Sequence, residues 1–267
     1  MKNTCAVLLA AGSPNQTGRA GALSQVLFRP LIRWAWDNCT GAGIEKICVI
    51  AGRNREEISG VLPEEAPIVC QEESQGLGCA KAFLAEHRET DVLITPGDAP
   101  FLFPEILTDS LRFHREEGND ATRIAWTALW IRGEALLAAL DRLPQCPAVE
   151  TIPETLGASA RVGDFAASGS LAGMRAGSFR QLAEMNRAAR DLTLDRLYDA
   201  GVEIPLADGV MIDPRAAIAP GAKILPGTRI QGESRVGAGS VIGPGSLLEN
   251  ATVGENCIVD ATYLLEA

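Results

Sequence analysis

In the last quarter of the chain an aliphatic residue returns every six positions. Ile212, Ile218, Ile224, Ile230, Val236, Ile242 and Leu248 form one run, and Val253, Val259 and Leu265 continue it after one step of five. Four positions after most of these stands a small residue: Ala216, Ala222, Thr228, Ser234, Ser240, Ser246, Thr252 and Cys257. A helix repeats at about 3.6 residues and a strand at about 2, so neither generates a strict six. A chain that turns a corner every six residues does. Each corner then sends one aliphatic side chain inward onto the coil below, and the small residue lets the turn pack closely. With three hexads to a coil, the stretch predicts about three coils of a parallel β-helix.

Ahead of that repeat, apolar runs alternate with amphipathic segments. Thr4–Ala10, Lys46–Ala51, Ala66–Cys70 and Asp91–Thr95 predict strands, and Ile124–Ile131 predicts another. Helices are expected at Pro30–Asn38, Arg55–Ser59, Gly78–Glu86, Pro104–Glu116 and Glu134–Leu143, with Gln145–Gly173 mostly irregular. Strand–helix alternation of this kind implies an α/β domain whose mostly parallel sheet is covered on both faces. A long helix, Gln181–Asp199, ends at Gly201 and joins the two parts. The organisation expected is an α/β domain over residues 1–178, a connecting helix over 179–203 and a β-helix over 204–267.

Charge and composition narrow the class. A formal net charge of −10 argues against a nucleic-acid partner, which needs clustered Lys and Arg to displace counter-ions. The short apolar run Cys5–Ala11 is too brief for a membrane span and lacks a cleavage region, so a cytoplasmic, membrane-free protein is expected. The seven cysteines have no zinc or redox-motif spacing and mostly lie in apolar runs, which predicts buried, reduced thiols. Trp34, Trp36, Trp126 and Trp130 are expected in the core, and His87 and His114 on polar helix surfaces.

Ligands in open α/β sheets sit beyond the carboxyl ends of the strands. Three loops fall there: Leu9-Ala10-Ala11-Gly12 with the segment through Ser24, then Gln71–Ala80, then Gly97-Asp98-Ala99-Pro100. From the residues alone, Asp98 either holds a metal or caps the next turn. Gln71 and Gly76 either read a base or shape their loop, and Arg19 is either a working cation or a solvated one.

These stretches, with Gln181–Glu184 and Leu247–Gly254, resemble the bacterial bifunctional family of N-acetylglucosamine-1-phosphate uridyltransferases and glucosamine-1-phosphate acetyltransferases. The similarity runs in order along nearly the whole chain. It implies a Rossmann-like nucleotidyltransferase domain followed by a left-handed β-helix that assembles as a homotrimer. It further implies uridylyl transfer from UTP to the sugar 1-phosphate, with release of pyrophosphate and with Mg²⁺. Carried over, Leu9, Ala10, Ala11 and Gly12 approach the nucleotide, Gln71 reads the uracil, and Gly76, Leu77 and Gly97 complete that wall. Asp98 corresponds to the metal-binding carboxylate, Arg19 to the catalytic arginine, and Gln25 stands where the family has a catalytic lysine.

The departures matter as much. Ser13–Gln16 interrupts the loop that holds the triphosphate, and Pro14 has no N–H to give. Gln25 is neutral. The family's metal-binding Asn aligns with Gly177 and its sugar-binding Asn with Ala125, while a sugar-holding stretch is absent near Asp120–Arg123. Losing one such donor costs roughly a hundred- to a thousandfold in rate. The expectation is therefore impaired or absent transfer with Mg²⁺ weakly held, if at all. The alternative is a catalytically silent nucleotide-sugar-binding or assembly homologue. No histidine follows His114, so the family's histidine-dependent acetyl transfer is not expected.

Overall fold

Strand β1, Thr4–Leu9, alternates its side chains between two separate cores: Cys5 and Val7 face one, Ala6 and Leu8 the other. This strand lies inside a seven-stranded sheet, and all four residues are fully buried. The structure is a computed structural model, and it describes residues 1–11, 21–70, 76–143, 149–167 and 170–267. Gly12, Arg19, Gln71 and Cys146, and the interrupted loop at Ser13–Gln16, lie outside the described residues. Two compact units are resolved, Met1–Ser24 with Pro30–Leu182, and Gln25–Arg29 with Ala183–Ala267.

The first part of the chain runs β1 (Thr4–Leu9), β2 (Gln25–Val26), β3 (Arg29–Pro30), α1 (Leu31–Gly41), β4 (Lys46–Ala51), α2 (Arg55–Ser59), β5 (Ile68–Cys70), α3 (Lys81–Glu86) and β6 (Asp91–Pro96). It continues through α4 (Pro104–Glu116), β7 (Ala121–Ile124), β8 (Ala128–Arg132), α5 (Gly133–Ala139), β9 (Val162–Phe165) and α6 (Phe179–Asp199). The sheet order is β5-β4-β1-β6-β8-β7-β9. The pairs among β5, β4, β1 and β6 are parallel, whereas β8 is antiparallel to both of its neighbours. Two steps of reversal leave β7 pointing the same way as β6. Fully buried Leu8, Leu93, Ile94 and Ile50 anchor the two faces, and each side chain of this size contributes about 1.5–3 kcal/mol by leaving water. Among the described residues no helix is long and apolar enough to cross a membrane.

Four expectations change here. Ile124–Ile131 is not one strand: β7 ends at Ile124, Ala125 and Trp126 take left-handed conformations (φ 48° and 57°), and β8 begins at Ala128. Trp126 is consequently 68% exposed, not core, while Trp130 on the returning strand is fully buried and donates from Nε1 to Ser110 Oγ at 2.9 Å. The stretch expected to be irregular contains β9, a short edge strand parallel to β7. Its Gly163 is required, because a Cβ there would fall 2.3 Å from Asn119 Nδ2. His114, expected at the surface, is only 1% exposed; its Nδ1 is 2.9 Å from Thr122 Oγ1.

The thiols follow the expectation in part. Cys5, Cys39 and Cys48 are buried, and burial pushes their pKa values up to about 11, about 12 and about 12. Cys70, at the end of an outer strand, is exposed, and Cys79 and Cys257 are half-buried.

In the second unit the hexads form a three-sided parallel β-helix. Strands β10 (Met211–Ile212), β13 (Arg229–Gln231), β16 (Leu247–Glu249) and β19 (Tyr263–Leu265) make one side. Strands β11 (Ala217–Ile218), β14 (Arg235–Val236) and β17 (Thr252–Val253) make the second, and β12 (Lys223–Ile224), β15 (Val241–Ile242) and β18 (Ile258–Val259) the third. Ile212 stacks on Ile230, Ile218 on Val236, Ile224 on Ile242 and Ile230 on Leu248. The coil then tightens. Leu248 pairs with Leu264, so the inward position of the last strand is Leu264 and Leu265 is 57% exposed. The final step is thus also five residues, with Ala261 at φ 45° turning the shortened corner. For the same reason Ala251, not Thr252, fills the buried small position after Ser246. Buried hydroxyls close the backbone at these corners: Ser234 Oγ accepts from Ala251 N at 3.1 Å and Ser240 Oγ from Cys257 N at 3.0 Å.

Candidate functional site

The carboxyl end of β1 is tied to its neighbours by backbone bonds. Gly97 N donates to Leu9 O and Ala10 N to Ile50 O, both at 2.8 Å. Asn54, just after β4, bridges the two strand ends: its Nδ2 donates to Ala10 O at 3.1 Å, while its Oδ1 accepts from Gly52 N at 3.2 Å. Gly97 is needed for this closure, because a Cβ there would meet Ile32 Cδ1 at 2.6 Å and Leu9 O at 3.3 Å. Leu9, Ala10, Ala11, Gly97 and Asp98 are thereby gathered at one end of two adjacent parallel strands.

Asp98 stands just past the end of β6, after Gly97, and keeps 15% of its side chain exposed. Arg175 Nε donates to its Oδ1 at 3.0 Å, and the arginine side chain is itself half exposed. The turn at Gly21 packs on the same carboxylate, where a Cβ would lie 3.0 Å from Asp98 Oδ2 and 3.4 Å from Ala176 O. Four segments far apart in sequence thus converge on Asp98: the end of β1, the Gly21 turn, the end of β6 and the stretch before α6.

Gly76 and Leu77 open a short 3₁₀ turn after the carboxyl end of β5, on the far side of β4 from β1. Gly76 has a positive φ of 50°, and Cys79 Sγ donates to its carbonyl at 2.9 Å. Leu77 is 3% exposed and packs in the core beside Val7, Ile50 and Leu84. Gln25 is exposed and falls in the second unit, where its carbonyl accepts from Asn186 Nδ2 at 3.4 Å and Leu27 N donates to Asn186 Oδ1 at 3.0 Å.

A family model described as "MobA-like NTP transferase domain" matches residues 6–162, more than half of the chain. The chain belongs to that family. Over 129 residues it is 27% identical to the "Bifunctional protein GlmU" of Acetivibrio thermocellus, and over 130 residues 33% identical to that of Pelobacter propionicus. Each match covers 46% of this chain and 28% of the relative, so the chain aligns with less than a third of those proteins' length. In fold, the MobA-like domain is similar to Rv0371c of Mycobacterium tuberculosis H37Rv, crystallised as a complex with manganese. The TM-score is 0.55 at 16% identity, covering 70% of this chain and 100% of that one.

The first unit's own residues can be tested against a resident divalent metal. Asp98 is a single carboxylate already bonded to a guanidinium. Among the described residues no cluster of three or more His, Cys, Asp or Glu could hold an ion. Gly177, aligned with the family's metal-binding Asn, brings no side chain, and a Cβ there would fall 2.8 Å from Gln181 Oε1. Its neighbour Ser178 instead caps α6, donating from Oγ to Gln181 Oε1 at 3.0 Å and accepting from Gln181 N at 3.2 Å. These residues do not fit a resident metal.

Two residues at this end of the first unit, Asn54 and Arg175, escape a reading of sequence, and a third, Trp126, was expected in the core. Trp126 sits at the tip between β7 and β8, on the side of the sheet where Asp98 lies, because β7 and β6 run in the same direction. Gly173, two residues before Arg175, packs against that tip, its Cβ position 3.4 Å from Ala125 O. The consecutive left-handed residues Ala125 and Trp126 carry no Asn, Asp or Gly, the signals that mark such a turn.

Proposed function

We propose that the first unit binds a nucleoside triphosphate or nucleotide sugar beyond the carboxyl ends of β1 and β6. UTP and N-acetylglucosamine 1-phosphate are its substrate pair, and uridylyl transfer between them is impaired or absent. One observation carries the reading: the carboxylate placed where this fold gathers its ligand, Asp98, is committed to Arg175. Phosphoryl-type transfer depends on positioning and on charge stabilisation of the departing pyrophosphate. Pro14 has no amide hydrogen to offer, and Gly177 no ligand. Mg²⁺ enters only weakly, as a counter-ion of the triphosphate.

A second reading, a silent nucleotide-sugar-binding or assembly subunit, is favoured by the last coil of the β-helix. Ile258, Tyr263 and Leu265 are 80%, 73% and 57% exposed there, a concentration of apolar surface that suits a left-handed coil packed in a homotrimer.

Pyrophosphate release from UTP, N-acetylglucosamine 1-phosphate and Mg²⁺ tests the reading, alongside a UTP-binding isotherm. Binding with turnover below about 0.1 per second, a hundredth of a typical enzyme rate, is expected. Turnover of about 10 per second that Asp98→Ala abolishes would overturn it.

A further inference from the structure

The contact between Asp98 and Arg175 is one-sided. The guanidinium spends Nε on Asp98 Oδ1, and among the described residues its two Nη groups take no other partner. Half of the side chain is open to solvent. A guanidinium held by one edge keeps a planar pair of donors facing outward, the geometry that matches two phosphate oxygens. It does so at the end of β6, the strand paired with β1, whose Ala10 carbonyl accepts from Asn54 Nδ2.

We propose that Arg175 is the site's own cation: anchored by Asp98, it receives the phosphates of the nucleotide, which is therefore held without a divalent metal. The inference rests on the nucleotide-binding reading above. The neighbouring backbone has been shaped around this arrangement. Gly21 leaves the space beside Asp98 Oδ2 that a larger residue would take, and Ser178 with Gln181 is occupied in capping α6. A guanidinium stays charged at every physiological pH. It also brings one positive charge where a divalent ion brings two. A site so built holds phosphates but stabilises a departing pyrophosphate poorly, which joins retained binding to slow transfer in a single cause.

Calorimetric titration of the full chain with UTP and with UDP-N-acetylglucosamine, each in EDTA and in Mg²⁺, tests this. The wild-type protein should bind in EDTA, with affinity changed less than about threefold by Mg²⁺, a shift smaller than one charge-assisted hydrogen bond. Arg175→Ala should weaken binding in EDTA by about tenfold or more, the effect of losing such a bond. Arg175→Lys, which keeps the charge but not the fork, should fall between. Arg175 is half exposed, and an unchanged melting temperature shows that the variants are folded. Binding that requires Mg²⁺, or Arg175→Ala binding as tightly as wild type in EDTA, overturns the proposal while leaving the nucleotide-binding reading intact. Absence of binding in either buffer overturns both.

Discussion

The guanidinium carbon of Arg123 lies 5.4 Å from the centroid of the exposed Trp126 ring. Arg123 is also 3.4 Å from Asp164 on β9, so the cation is held between an edge strand and the hairpin tip. A ring kept in a strained left-handed backbone and braced from one side offers its other face to a ligand. The sugar of the nucleotide sugar proposed above would lay its C–H face on that surface.

Trp126→Ala should therefore weaken UDP-N-acetylglucosamine binding about five- to tenfold, the worth of one aromatic contact, and leave UTP binding unchanged. Tryptophan fluorescence on titration provides a second readout, with quenching by the sugar nucleotide and little by UTP. Equal loss for both ligands would remove the sugar from this account.

Asp91 gives a pH dependence of stability. Burial pushes its carboxyl up, but His114 and Arg115 beside it outweigh burial and bring it below its ordinary value of 3.8. Arg115 Nε donates to Asp91 Oδ2 at 2.7 Å. A lowered carboxylate stabilises the fold above its unfolded pKa, and that contribution disappears as pH falls through the folded value. Asp91→Asn should be less stable than wild type at pH 7 by about 1 kcal/mol, with the gap closing below about pH 4. Urea unfolding at several pH values checks it; a gap that widens on acidification contradicts it.

Stacking in the second unit predicts opposite outcomes for two neighbouring strand residues. Ile242 is fully buried between Ile224 and Val259, whereas Ile258 on the next coil is 80% exposed. Ile242→Ala should cost about 2–5 kcal/mol. Ile258→Ala should stay within about 0.5 kcal/mol in a monomer, and only an assembled β-helix would raise that cost, visibly as a dependence of the urea midpoint on protein concentration.

The β-helix was legible because a stacked coil repeats one environment, and the sequence must repeat with it. Its last corner was not: Leu264 and Leu265 are both leucines, and only the short turn at Ala261 decides which faces inward. The α/β alternation, α2 and α4 followed directly from periodicity and from Pro104 at a helix start. Trp126 was hidden because Ile124–Ile131 is apolar throughout, so a turn made without Asn or Gly left no mark. Leu9–Ala11, Gly97 and Asp98 stood out as loops after apolar strands. Arg175 did not, since it reaches Asp98 from 77 residues away through a stretch with no period of its own.

Manganese(II) electron paramagnetic resonance on the nucleotide-free protein tests most directly whether a side chain, and no metal, neutralises Asp98. The free-ion signal should persist undiminished as wild-type protein is added, and begin to fall in Arg175→Ala, where the carboxylate is released. Stoichiometric loss of signal in the wild type, restored by Asp98→Asn, would contradict the account.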